Sequence, residues 1–126
     1  MLKLLSLKFV DLRFYNTSKS FDNVEIQVDV NHELFQADDD KPKETGSFQT
    51  ATKFHIYPKD PNSIEGEFSI TVELNARFSL EEKIDDESRE KYYKETMQRV
   101  YPYVRTSVAG LTTMAQFPPL YLPIVL

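Results

Sequence analysis

Phe68, Ile70, Val72, Leu74, Ala76, Phe78 and Leu80 alternate with polar residues over thirteen positions. From residue 93 the period changes: Tyr93, Met97, Val100 or Tyr101, Val104, Val108, Leu111 and Ala115 recur at steps of three and four. A period of two buries one face of a pleated strand, whereas a period near 3.6 buries one stripe of a helix. The chain therefore has to satisfy two geometries in succession.

Three more alternating runs precede the switch. Residues 24–34 place Val24, Ile26, Val28, Val30 and Leu34 on one face and Glu25, Gln27, Asp29 and Asn31 on the other. Phe48, Thr50, Thr52, Phe54 and Ile56 form another run, ended by the turn-forming "PKDPNS". Residues 2–15 alternate in two phases, Leu5, Leu7 and Phe9 first, then Val10, Leu12 and Phe14. Such a phase switch inside a strand marks a β-bulge or a sharp bend. "QADDDKPKETG", residues 36–46, reads as a charged loop.

Strands followed by a helix favour an α+β fold, here a four-stranded antiparallel sheet with the helical segment on one face. Acidic residues in "DDESREKYY" suit a helix N-terminus. Pro102 interrupts the helical stripe without shifting its phase, so it either kinks the helix or opens a new one. Pro118 and Pro119 end it. At 126 residues, the whole chain, 1–126, is expected to be one domain.

The chemistry expected of an enzyme is missing. The two histidines, His32 and His55, lie in separate strands. His32 falls on an apolar face with no Asp or Glu at metal spacing around it, so it reads as a satisfied core histidine; His55 reads as solvated. Asp38–Asp40 and Asp85–Glu87 lack the pattern of a calcium loop and read as solvated charge or a helix start. Three glycines leave little material for phosphate loops, and no nucleophile stands beside a base. No catalytic residue, metal or cofactor is expected. The net charge of −5 argues against nucleic acid, and no run approaches the roughly 20 apolar residues of a membrane span. The apolar start "MLKLLSLKFV" is broken by Lys3 and Lys8 and lacks a cleavage site, so a cytoplasmic protein is expected. Zero cysteines fit a reducing compartment. Nine Phe and seven Tyr beside three Gly supply more aromatic surface than chemistry. These residues point to a binding protein.

"VYPYVRTSVAGLTTMAQFPPLYLP", residues 100–123, resembles the SecB family of protein-export chaperones. That family carries a Phe-Pro-Tyr-Ala-Arg helix start and a later Phe-Pro-x-Leu-x-Leu. Pro102, Tyr103 and Arg105 match the first element, and Phe117, Pro118, Leu120 and Leu122 match the second without a gap. "LKFVDLRFYN", "VEIQVDV" and "VELNARFSL" are more weakly similar to three of the family's strands.

The resemblance implies an ATP-independent holdase that binds unfolded or precursor polypeptides in apolar grooves between sheet and helix. Phe21, Phe35, Phe48, Tyr92 and Tyr121, at strand or helix ends, are the groove candidates. It also implies a homotetramer, a dimer of dimers, with Val104, Val108, Gly110 and Leu111 as interface candidates. In the family, acidic residues on the exposed sheet face contact the SecA motor. Asp11 and Glu73 match two of them, but Tyr15 stands where a Glu is expected. The family also continues with a further helix, whereas this sequence stops at Leu126. Weak SecA binding is the expectation from both departures. The alternatives are a SecB-like chaperone dedicated to one client, such as an antitoxin, or a structural protein reusing the fold. A small-ligand carrier is disfavoured, because four strands and one helix hardly enclose a pocket.

Overall fold

The computed structural model describes residues 2–17, 25–36, 47–60, 62, 66–80, 87–114, 120 and 122. Four strands, β1 (Lys3–Asn16), β2 (Ile26–Gln36), β3 (Ser47–Pro58) and β4 (Phe68–Ser79), precede one helix, α1 (Arg89–Met114). All strand pairs are antiparallel and the order is β1-β4-β3-β2, a Greek-key arrangement. β1 and β2 are thus the two edges. The architecture is α+β, a four-stranded antiparallel sheet with α1 on one face.

The alternation seen in the sequence fixes which face is covered. Phe68, Ile70, Val72, Leu74, Ala76 and Phe78 of β4 are buried, as are Phe48, Phe54 and Ile56 of β3. Phe48 stacks on Phe78 at 5.5 Å, and Phe54 stacks on Tyr101 of α1 at 5.9 Å. Burying each large side chain contributes about 1.5–3 kcal/mol, so this central row outweighs any single polar contact in the fold.

β1 is bulged twice. Its register against β4 shifts between Leu4 and Ser6 and again between Phe9 and Asp11, leaving Leu5 and Val10 as extra residues. The second shift is the phase switch visible in the sequence. The first lies within the run that appeared regular. β2 holds its register with β3 through all its residues, from Ile26 opposite Pro58 to Gln36 opposite Phe48.

Two sequence expectations about the helix change. α1 runs unbroken from Arg89 to Met114 with Pro102 inside it, so Pro102 does not open a new helix. Pro102 and Gln98 are both exposed, so water can reach the Gln98 carbonyl that the missing Pro102 N–H no longer bonds. Nor is the buried stripe the one first read. It is Tyr92, Thr96, Val100, Tyr101, Val104, Val108 and Thr112, whereas Tyr93 is exposed. Steps of four follow one ridge of the helix surface, inclined to its axis. Thr96 and Thr112 fit in that ridge because each hydroxyl donates to the carbonyl four residues back, Tyr92 at 2.7 Å and Val108 at 3.0 Å. The helix ends at Met114 among the described residues; Pro118 and Pro119 lie outside them. Leu120 and Leu122 lie back against the helix. Arg105 Nε donates to the Leu122 carbonyl at 3.0 Å, and the Leu120 amide donates to Thr112 Oγ1 at 2.9 Å.

Candidate polypeptide-binding surface

One cross-sheet row locates the uncovered apolar surface. Leu12 of β1 pairs with Val72 of β4, Val72 with Phe54 of β3, and Phe54 with Val30 of β2. The two middle residues are fully buried, while Leu12 is 42% exposed and Val30 38%. The helix covers the centre of the sheet and leaves both margins of the same apolar face open.

On the β2 margin the opposite wall is α1. Tyr93 is 41% exposed and meets the His32 ring edge-on at 4.8 Å, and Met97 lies partly buried against the core. Val30, Tyr93 and Met97 are thus apolar side chains left open or half-open at this margin, with His32 buried beside Tyr93. The His32 Nδ1 is 2.6 Å from Thr52 Oγ1 and its Nε2 is 2.8 Å from Thr96 Oγ1. Because the Thr96 hydroxyl already donates to the Tyr92 carbonyl, it accepts from Nε2–H, and the Thr52 hydroxyl donates to Nδ1. The ring is neutral and fully satisfied, and burial lowers its pKa to about 4. Arg89 anchors the start of the helix to the same edge, donating to the Leu34 carbonyl at 3.2 Å. On the β1 margin, Leu12 is joined by the bulge residue Val10, which is 52% exposed.

The groove candidates named from sequence distribute differently. Phe35 is exposed, but it pairs with Gln49 on the face away from the helix. Phe48 and Tyr92 are buried in the core of this chain, because strand and helix ends here still lie over the sheet. Phe21 and Tyr121 lie outside the described residues. Val30, Tyr93 and Met97 were missed as a set. The signal for Val30 was its position on an apolar strand face; nothing local distinguished Tyr93 from its buried neighbour Tyr92.

Among the interface candidates, Val104 and Val108 are fully buried beneath their own helix. Leu111 packs partly on the core, and Gly110 is exposed with open space where a Cβ would stand. Asp11 and Glu73 are direct neighbours across β1 and β4 on the open face. Arg13 grips both carboxylate oxygens of Asp11 at 2.9–3.0 Å. Lys53 faces Glu73 from the other side of the row. His55 leans on Tyr57 with ring centres 4.8 Å apart. Among the described residues no three His, Asp or Glu side chains are placed to hold a metal ion, and no helix is long and apolar enough to cross a membrane.

No protein-family model matches the chain, and no curated protein does. Solved structures do. A SecB-like chaperone of Mycobacterium tuberculosis, in complex with a ChAD peptide from the HigA1 antitoxin, superposes with a TM-score of 0.72 at 20% identity, covering 99% of this chain and 91% of the other. The chain has the SecB-like fold. A Streptococcus agalactiae protein of unknown function is also similar, with a TM-score of 0.60 at 10% identity and coverage of 98% and 97%. At such identities the shared property is the SecB-like arrangement of sheet and helix, and the side chains lining its margins are this chain's own.

Proposed function

We propose that this chain is an ATP-independent chaperone that holds polypeptide clients in extended form along the margins of its helix-covered sheet face. The observation that carries this reading is the cross-sheet row whose centre is buried and whose ends, Leu12 and Val30, are open. Burial of such surface by a client contributes roughly 25 cal/mol per Å² before the cost of ordering the client. A surface of aliphatic and aromatic side chains demands apolar character of its ligand and little else, which suits unfolded chains. The structural neighbour that binds an antitoxin peptide supports a polypeptide as the ligand class. It also favours, as a second reading, service to one dedicated client over general export.

The resemblance to SecB supports assembly through copies of the same chain, a tetramer built from dimers, in the cytoplasm. Coupling to SecA is proposed to be weak, because Arg13 already neutralises Asp11 and Tyr15 replaces an acid. The deciding experiment is light scattering of a chemically unfolded client diluted into buffer with and without this protein, in the absence of nucleotide. Suppression at stoichiometric ratio supports the reading, and unchanged aggregation of every client tried overturns it.

A further inference from the structure

The second half of α1 has the opposite charge balance to the rest of the chain. The net charge is −5, yet residues 96–126 contain no Asp or Glu, and their charged side chains are Arg99 and Arg105. Arg105 is half-buried. Helix neighbours stand three and four residues away, and here they are Tyr101, Pro102, Val108 and Ala109, none of which offers a counter-charge. The side chains buried beneath α1 are apolar, hydroxyl-bearing or the neutral His32. Among the described residues Arg105 makes no ion pair. Its charge is felt in the interior: burial raises the pKa of the Tyr101 phenol, and the Arg105 cation works against that rise.

Arg105 also lines a hollow of about 270 Å³, together with Thr106, Ala109 and Leu122. Its Nε donates to the Leu122 carbonyl at 3.0 Å, which restrains the guanidinium and leaves both Nη groups without a partner among the described residues. The Thr106 hydroxyl donates to the Pro102 carbonyl at 3.0 Å, so it brings no further donor. Ala109 and Leu122 bring methyl groups. The lining thus sets one two-pronged cation against apolar walls. Two Nη groups match the two oxygens of a carboxylate, whereas a phosphate dianion asks for more donors than one side chain supplies. Drug-sized ligands occupy roughly 300–1,000 Å³, so the hollow suits a smaller one.

We propose that the Arg105 hollow binds a carboxylate attached to a short apolar body, the guanidinium taking the carboxylate and Ala109 and Leu122 the apolar part. Two sources offer that chemistry: a free small carboxylic acid, and the C-terminal residue of a polypeptide that ends in an apolar side chain. The site does not depend on the chaperone reading, since it is built from α1 and Leu122 and is read on the chain alone.

The test is a two-dimensional amide NMR titration of the full chain, at constant ionic strength, with N-acetyl-leucine, its uncharged amide, acetate and inorganic phosphate. The expected result is saturable shifts at Thr106, Ala109 and Leu122 with N-acetyl-leucine, and affinity about tenfold lower for the amide and for acetate. A pentapeptide ending in a free leucine carboxylate, beside its amidated form, separates the sources. Binding of the free-acid peptide assigns the hollow to chain ends; its failure beside binding of N-acetyl-leucine assigns it to small acids. Arg105→Gln keeps a donor for the Leu122 carbonyl and should weaken N-acetyl-leucine about tenfold. Ala109→Leu leaves Arg105 in place but fills the hollow, and should abolish binding with the other amide signals unmoved. Equal affinity for the amide, tighter binding of phosphate, or unchanged affinity in Ala109→Leu would overturn the assignment.

Discussion

His32 Nε2 lies 2.8 Å from Thr96 Oγ1, and this contact joins the edge strand β2 to helix α1 beside the proposed client surface. It makes the ring part of the fold's polar wiring: Thr52 donates to it, it donates to Thr96, and Thr96 donates to the helix backbone. A second proton on Nδ1 would meet the hydroxyl hydrogen of Thr52. Protonation is therefore opposed by both burial and bonding.

Stability should fall with acid in a window set by this histidine. The unfolded ring takes a proton near pH 6.5, the folded one only near pH 4, so the unfolded state gains protons first as pH drops. The loss starts below about pH 6.5 and is complete below about pH 4, amounting to about 3 kcal/mol. Urea unfolding of the wild type at pH 7 and pH 4.5 measures it. His32→Gln should have lower stability at pH 7 but a flatter profile between those values. An equally steep profile in the variant would place the acid sensitivity elsewhere.

Thr50 offers the opposite case. Its hydroxyl is buried on β3 without a hydrogen-bond partner among the described residues. Thr50→Val removes that oxygen at nearly constant shape and should stabilise the chain by about 1 kcal/mol, read as a raised unfolding midpoint at unchanged slope. Thr52→Val, two residues on, deprives His32 of its donor and should destabilise by about 1–3 kcal/mol.

Pro102 sits inside a continuous helix at an exposed position, where proline costs about 3 kcal/mol relative to alanine when nothing compensates. Pro102→Ala should therefore raise stability, by about 1–3 kcal/mol, and add to helical circular dichroism. Destabilisation would mean that proline at this position is needed to keep the i+4 ridge on the sheet.

The open margins should be separable from folding. Val30→Asp and Leu12→Asp place a charge on partly exposed positions, so each should cost at most about 1–2 kcal/mol of stability while sharply reducing suppression of client aggregation. Phe48→Asp is the contrast, a charge in the fully buried core that should prevent folding. Aggregation suppression equal to wild type in the Val30→Asp, Leu12→Asp double variant would refute the proposed surface.

The edge strand β1 offers a test of assembly. Val10→Lys charges an exposed bulge residue and should shift a sedimentation or light-scattering mass towards the monomer if copies meet along β1. An assembly mass unaffected by the change would place the interface elsewhere.

Much of this architecture was legible because strand alternation is a strictly local signal. β4 needed only its own thirteen positions, and the bulge at Val10 declared itself as a change of phase. The helix was harder. Thr96 and Thr112 occupy buried positions, yet a threonine looks polar until its hydroxyl is seen turned back onto the helix carbonyls. With those two hidden, the apolar residues Tyr93 and Leu111 drew the inferred stripe a residue aside. Pro102 was left open between a kink and a helix start, because proline's local preference was weighed without knowing that its side faces solvent. Phe48 and Tyr92 were assigned to a surface from their places at element ends, but burial depends on what lies across the sheet, which no local pattern records.

The bulges of β1 also say where this chain can change length. Leu5 and Val10 have no partner of their own on β4, whereas Leu4 and Ser6, and Phe9 and Asp11, pair with consecutive positions there. Removing either extra residue leaves every neighbour opposite the same partner, while removing any ordinary β1 residue would turn the remainder of the strand inside out. Single-residue gaps between this chain and its relatives are therefore expected at positions 5 and 10, and an alignment that slides a gap elsewhere in β1 misplaces the whole N-terminal edge.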